Sequence, residues 1–533
     1  MTERFRGPRA RAVARALLLC SPVAVVWLVF VVSGLRGVDY GFHWDEEPWH
    51  LVPVRNAVAS GILLPRSYIY PSFDKWLVLW PSLGAALGAG LEQSFDPAAM
   101  QAAMVKAVNA PDYLLSARRL FIVVSSLGIL WTYGAALAFR MRWWAALVAA
   151  SGLGLSWEFA YHSRFVATDA LLTQFSALVV FMIALFFRNG RVRWLQAASV
   201  AAGLATGTKY TGVCLLLPIL FASVLIHVVN RPPWEMRLFP EIRRAASFCA
   251  IAFVAYLVTT PSTLLDPFLF LTETQWITRV YAGPHGGYTA ASAWDHARIV
   301  FLFLSLGYFS PYKIVAACAF AGSLVGFGLW VRRDRKVAAV LAIVPILFVT
   351  AFCYKFRIVT VRNYMFLAPF LSLFLARAVS DVAERISKPL VSRLLAVPLA
   401  VVGVAQAVWL VQAGESIRHL DPRADVREAL AYVAHHPETR FRLSGQVLAI
   451  AKQEKLAIAQ NASSKRNAEQ VVFFARAEGP DTRVWQSNDP FQAKAVFGPR
   501  EVNFDWYSSW SGHDRVVVMT LEKARATKVP FTM

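Results

Sequence analysis

The chain has 533 residues, of which 57% are hydrophobic and only 16% charged. Many apolar runs of about 17 to 25 residues, each long enough to cross a bilayer, exclude a soluble globular protein and define a polytopic membrane protein. The formal net charge of +21 does not point to nucleic acid, because much of the basic excess lies in short segments flanking apolar runs, where it orients helices.

The first apolar run, Val13 to Leu35, is longer than the core of a secretory signal and no small-residue cleavage site follows it, so it is read as a retained helix. Just beyond it, His43-Trp44-Asp45-Glu46-Glu47-Pro48-Trp49-His50 crowds three carboxylates among aromatic side chains. Desolvation and mutual repulsion there raise the pKa of at least one acid and favour a proton acceptor; the plainer alternative is a solvated loop. Trp76 to Leu91 is short and carries Pro81 and three glycines. It fits an interfacial or re-entrant helix on the outer side better than a crossing.

Leu120 to Phe139, Trp143 to Ala160 and Ala170 to Phe187 read as spans. Trp194 to Asn230 looks like one long helix, but basic clusters bound it at both ends, so the positive-inside rule requires it to go out and return. The turn is expected at Thr208-Lys209-Tyr210-Thr211-Gly212. Phe248 to Pro261, Tyr312 to Val331, Val337 to Cys353, Tyr364 to Val379 and Leu394 to Gln412 complete about eleven crossings, with the N-terminus cytoplasmic. On this map Asp45 to Glu47, Tyr161 to Asp169, the Lys209 turn, the loop from Ser262 to Arg298 and Arg357 to Tyr364 all emerge on the extracytoplasmic face.

After Gln412 about 120 residues of ordinary polarity suffice for one small soluble domain. Ala424 to His435 has the spacing of an amphipathic helix and Arg515 to Leu521 reads as a strand. The expected fold is therefore an all-α polytopic membrane domain over residues 1–412, followed by a small α/β extracytoplasmic domain over residues 413–533. Asn461-Ala462-Ser463 matches a glycosylation sequon, a tripeptide common by chance. The five cysteines have no ligand spacing. No set of metal ligands stands out, although the acids beside His43 and His50 leave a divalent cation open.

Two polar features interrupt the apolar pattern. Arg164 and Asp169 stand five apart at the entrance of a helix, where Asp169 either caps the helix or joins an ion pair. Lys209 is the one charged residue within about 35, which marks a site or a side chain that snorkels to the interface.

Taken in order, Asp45-Glu46, Tyr70-Pro71 with Lys75, Ser163-Arg164 with Asp169, Gly203 to Gly212 around Lys209, and Arg362-Asn363-Tyr364 before Pro369 resemble the glycosyltransferase-C superfamily. The branch most similar is that of the protein O-mannosyltransferases and the bacterial lipid A aminoarabinose transferase. The sequence departs from it at Pro71-Ser72-Phe73, where many members have Pro-Pro-Leu, and at Glu47, which extends the acidic pair to three.

The resemblance implies transfer of a sugar from a polyprenyl-phosphate donor to an acceptor hydroxyl outside the plasma (inner) membrane, with inversion. It makes Asp45 the base, with Glu46 the alternative. Lys209 and Arg362, with Lys75 third, are then candidates for the donor phosphate; Arg164 and Asp169 would shape the sugar or acceptor pocket, joined by Tyr70 and Tyr364. His285 lies in an outer loop that would adjoin the acceptor, which is a lipid, a polysaccharide or a protein. A multi-pass secondary transporter is the alternative class, disfavoured because the charges gather at one membrane face instead of the midplane. A catalytically silent scaffold or receptor is a third.

Overall fold

The computed structural model describes residues 8–39, 46–62, 64–230, 238–284, 289–385, 389–418, 422–463, 468–476, 495–497 and 514–522. Helix α1 (Pro8–Arg36) opens the chain. A π-helical turn (Glu47–Leu51) runs into α2 (Val52–Ser60), and α3 (Phe73–Glu92) and α4 (Pro97–Val108) form a hairpin. Asp96 caps α4 by accepting from the Ala98 and Ala99 amides at 3.4 and 3.0 Å, satisfying donors that a helix start leaves unpaired.

Helices α5 (Tyr113–Ala138), α6 (Trp143–Gly154), α7 (Trp157–Ser163), α8 (Thr168–Asn189) and α9 (Arg193–Thr208) follow. A 3-10 turn (Tyr210–Leu215) leads to α10 (Leu216–Asn230), then α11 (Leu238–Thr259), α12 (Ser262–Leu265), α13 (Pro267–Ala282) and α14 (Ala293–Leu302). The membrane part ends with α15 (Lys313–Arg333), α16 (Arg335–Lys355), a 3-10 turn (Val361–Leu367), α17 (Ala368–Arg385) and α18 (Pro389–Arg418).

Apart from Trp143 to Ala160, each expected crossing overlaps one helix, and seven described helices are by themselves long and apolar enough to cross a membrane. Helix α3 is not one of the seven; it contains Pro81 and begins with the buried polar pair Asp74 and Lys75. The stretch from Trp143 to Ala160 is not one helix. It breaks after Gly154 because Ser156 starts α7, its hydroxyl donating to the Tyr308 carbonyl at 2.7 Å. Small residues let these helices pack closely without a water-driven force: Ala145, Ala146, Ala149 and Ala150 are all fully buried where α6 meets α5 and α17.

Beyond the membrane helices lie α19 (Pro422–Ala434), β1 (Phe441–Leu443), α20 (Gly445–Gln453), β2 (Ala462–Ser463), β3 (Gln470–Arg476), β4 (Ala495–Phe497) and β5 (Asp514–Thr520). The sheet order is β2-β1-β3-β5-β4, with β1 parallel to β2 and β3, and β5 antiparallel to β3 and β4. Val426, Ala429 and Val433 of α19 share a separate apolar cluster with Val472, Val516 and Val518. The expected helix and strand are therefore α19 and β5. The Asn461 amide donates to the carbonyls of Val433, His436 and Thr439 at 3.1, 2.9 and 3.0 Å, so the sequon asparagine pins the loop ahead of β1.

Candidate functional site

The site begins with a helix that is made to stop. Helix α9 lies so close to α11 that a Cβ on Gly203 would collide with the Ala252 carbonyl, and a Cβ on Gly212 would strike the backbone of Ala205. Between these glycines Lys209 adopts an extended backbone, φ −149° and ψ 135°, and the Gly212 amide donates to the Lys209 carbonyl at 2.7 Å. The chain folds back at the expected residue, and the lysine is carried inward.

There Lys209 Nζ donates to Asp169 Oδ1 and to Asn363 Oδ1, each at 2.6 Å. Arg362 Nε lies 3.6 Å from Asp169 Oδ2. The Asn363 amide is turned by its other end, Nδ2 donating to Thr360 Oγ1 at 2.5 Å. Three separate segments thus converge: the first turn of α8, the α9 break and the 3-10 turn before α17. Asp169 is only 3% exposed; the helix N-cap is Ala167, and Asp169 is ion-paired with Lys209 and Arg362 instead of Arg164. Lys209 and Arg362 thus both face this carboxylate in a site shielded from water, where charge acts far more strongly than in solvent.

Arg164 turns the other way. Its Nη2 donates to Ser33 Oγ of α1 at 2.9 Å and its guanidinium stacks 5.1 Å from the Trp157 ring centroid. From the same short helix, His162 sits buried within electrostatic reach of Asp169, Arg362 and Lys209. Burial pushes its imidazole down to about 3, Asp169 pulling upward and the two cations downward. Burial thus favours the neutral ring.

Asp45 and His285 lie outside the described residues. Glu46 is 1% exposed and gripped by Arg118 of α5, Nε to Oε1 at 2.8 Å and Nη2 to Oε2 at 2.5 Å. The Val166 amide donates to the same Oε1 at 2.8 Å. This bidentate, charge-assisted geometry makes Glu46 a buried anchor. Glu47 pairs with Arg55 on the more exposed side. His50 Nδ1 is paired with Asp74 Oδ2, and Tyr70 stacks on the imidazole with centroids 5.3 Å apart.

Lys75, next to Asp74, donates to the Tyr70 and Pro71 carbonyls at 3.1 and 3.3 Å, and burial pushes its ammonium down. Tyr364 is wholly buried, its hydroxyl 2.8 Å from His296 Nε2 and 3.5 Å from Cys353 Sγ. Neither Lys75 nor Tyr364 contacts the Lys209 cluster through its functional group.

Sequence reasoning missed Arg118, although an arginine inside an apolar helix is itself a signal of function or pairing. Asn363 stands in the Arg362-Asn363-Tyr364 motif without an assigned part, and His162 lies within Tyr161 to Asp169 without being singled out. Among the described residues no group of three or more His, Cys, Asp or Glu side chains is placed to hold a metal ion.

Residues 96–258 match the model of the dolichyl-phosphate-mannose-protein mannosyltransferase family. That stretch contains Arg118, His162, Asp169 and Lys209, and the match bears out the resemblance to the glycosyltransferase-C superfamily. No curated protein matches the chain. Among solved structures it is similar to ArnT from Cupriavidus metallidurans bound to undecaprenyl phosphate, at 17% identity and TM-score 0.45, over 95% of this chain and 98% of that one. It is also similar to the archaeal oligosaccharyltransferase AglB from Archaeoglobus fulgidus in complex with an inhibitory peptide and a dolichol-phosphate, at 14% identity and TM-score 0.46, over 83% of this chain and 60% of that one.

Proposed function

We propose that the protein is a multi-pass glycosyltransferase of the plasma (inner) membrane that moves a sugar from a polyprenyl-phosphate donor to an acceptor hydroxyl on the extracytoplasmic face. The observation that carries this reading is the buried pairing of Lys209 with Asp169 and Asn363, with Arg362 beside it. The acceptor oxygen bonds to the anomeric carbon as the carbon–oxygen bond to phosphate breaks, and the bond's electron pair leaves with the carrier phosphate. Lys209 and Arg362 stabilise the charge that grows there. The acceptor's proton passes to Asp45, and attack opposite the leaving phosphate inverts the anomeric centre.

Arg118 contributes through Glu46, the neighbour of Asp45 in the chain. Because the cations already offset the phosphate charge, turnover is expected to persist in EDTA. The residues beyond α18 form a soluble extracytoplasmic domain in this scheme, and the N-terminus is cytoplasmic.

Membranes containing the protein, incubated with labelled polyprenyl-phosphate sugars and then separated into lipid, polysaccharide and protein fractions, test the proposal. Label moving to an acceptor only when the intact protein is present is the expected result. No transfer from any hexose or pentose donor, to any fraction, would overturn it.

A further inference from the structure

His162 is a buried histidine with no task in the transfer step. His162 is 3% exposed, and among the described residues neither Nδ1 nor Nε2 has a hydrogen-bond partner. Its ring is held edge-on by Tyr161 and Phe165, with centroids 5.1 and 5.2 Å away, so ring packing and not a hydrogen bond orients it. Glu158 Oε2, one helical turn back, is 3.8 Å from Nε2, too far for a hydrogen bond. Leaving both nitrogens of a buried imidazole unpaired is costly, and such an arrangement calls for a ligand.

The chemistry of that ligand follows from the ring. A neutral imidazole offers one N–H donor and one bare acceptor nitrogen. A phosphate oxygen can only accept, whereas a hydroxyl both accepts and donates. An oxygen placed at hydrogen-bond distance from Nε2 would also reach Glu158 across the 3.8 Å gap. The neighbouring Lys209 and Arg362 are where the donor phosphate is placed, and the sugar is bonded directly to that phosphate.

We infer that His162 is a specificity-determining residue that, with Glu158, holds a hydroxyl of the sugar carried by the lipid-phosphate donor. The inference rests on the donor reading given above. His162 therefore discriminates between a loaded carrier and a bare one, a distinction that the cation cluster cannot make.

The test compares binding of two probes, undecaprenyl phosphate alone and the undecaprenyl-phosphate hexose or pentose that the parent protein binds most tightly. His162→Phe keeps the ring shape and removes both hydrogen-bonding nitrogens; it should weaken the sugar-bearing probe about tenfold while the bare carrier stays within about twofold. His162→Gln, which retains a donor and an acceptor, should fall between. The unchanged bare carrier also reports that the variant is folded.

Equal loss for both probes would overturn the inference, as would no loss for either, the result expected if the imidazole merely faces a buried water. Unchanged donor binding with a raised acceptor KM would also overturn it, placing the hydroxyl on the acceptor instead. Failure of the parent to bind either probe would remove the donor reading and this inference with it. Binding of both probes by the parent, without discrimination by the variants, removes this inference alone.

Discussion

Arg118 of α5 closes a two-pronged grip on Glu46, with Nε and Nη2 at 2.8 and 2.5 Å from the two carboxylate oxygens. The pair ties Glu46, just ahead of the π-helical turn, to α5, and the same carboxylate reaches the Val166 amide ahead of α8. One acid thus joins three parts of the membrane domain immediately beside Asp45.

Arg118→Met should therefore destabilise the protein by about 3 to 5 kcal/mol, since it strands a buried carboxylate. Asp45→Asn should behave differently, keeping thermal stability and donor binding while lowering turnover by about a hundred- to ten-thousand-fold. Melting curves and initial rates on the two variants separate an anchor from a base. Normal turnover in Asp45→Asn with an inactive but stable Glu46→Gln would move the base one residue along.

The Lys209 cluster makes a sharper claim, because its members hold one another. Lys209→Met leaves Asp169 buried with only the more distant Arg362, so both stability and donor affinity should fall. Adding Asp169→Asn removes the stranded charge and should restore most of the stability. Turnover should stay low, since the cation facing the leaving phosphate is still missing. Recovery of activity together with stability would show that the lysine serves the fold alone.

The α9 break was legible in the sequence because charge and hydropathy are local: basic clusters at both ends of Trp194 to Asn230 required a turn, and the polar stretch from Thr208 to Gly212 around Lys209 was where it could fall. The split of α6 from α7 was not legible, since it depends on Ser156 meeting the Tyr308 carbonyl from a distant helix. Charged residues were recognisable as candidates, but their partners were not. Asp169 pairs with Lys209 and Arg362 rather than Arg164, and Arg118 finds Glu46 across 72 residues, contacts that only the packed helices create.

Tyr364 illustrates the same difference between residue type and role. Its hydroxyl is engaged by His296 and Cys353, away from the cation cluster. Tyr364→Phe leaves the His296 ring nitrogen without its partner and should cost about 1 to 3 kcal/mol of stability. Donor affinity should stay within about threefold, or about 0.6 kcal/mol. A large loss of donor affinity at unchanged melting temperature would place the hydroxyl in the binding site after all.

Gly212 tests whether the break itself matters. A methyl group there would press on the backbone of Ala205 and Thr206, neither of which can yield as a flexible side chain would. Gly212→Ala should therefore displace the Lys209 turn and weaken donor binding, although it removes no functional group. Gly84, where an added Cβ meets nothing within 4 Å, is the matched control, and Gly84→Ala should leave binding unchanged. Equal donor affinity in the two variants would show that the lysine reaches its partners without this close approach.

His162 gives the protein a specific response to acid. The groups facing it are Glu158, Asp169, Lys209 and Arg362, and burial holds its pKa down to about 3, whereas an unfolded histidine titrates near 6.5. Between those two values the unfolded chain binds a proton that the folded chain refuses, so stability is full above about pH 6.5 and declines as the pH falls below it. The slope from this one group is at most about 1.4 kcal/mol per pH unit. His162→Gln removes the titration, so its melting temperature should fall less than the parent's between pH 7.5 and pH 5. Parallel pH profiles for the two proteins would mean that the folded chain takes up a proton at this imidazole as readily as the unfolded chain does.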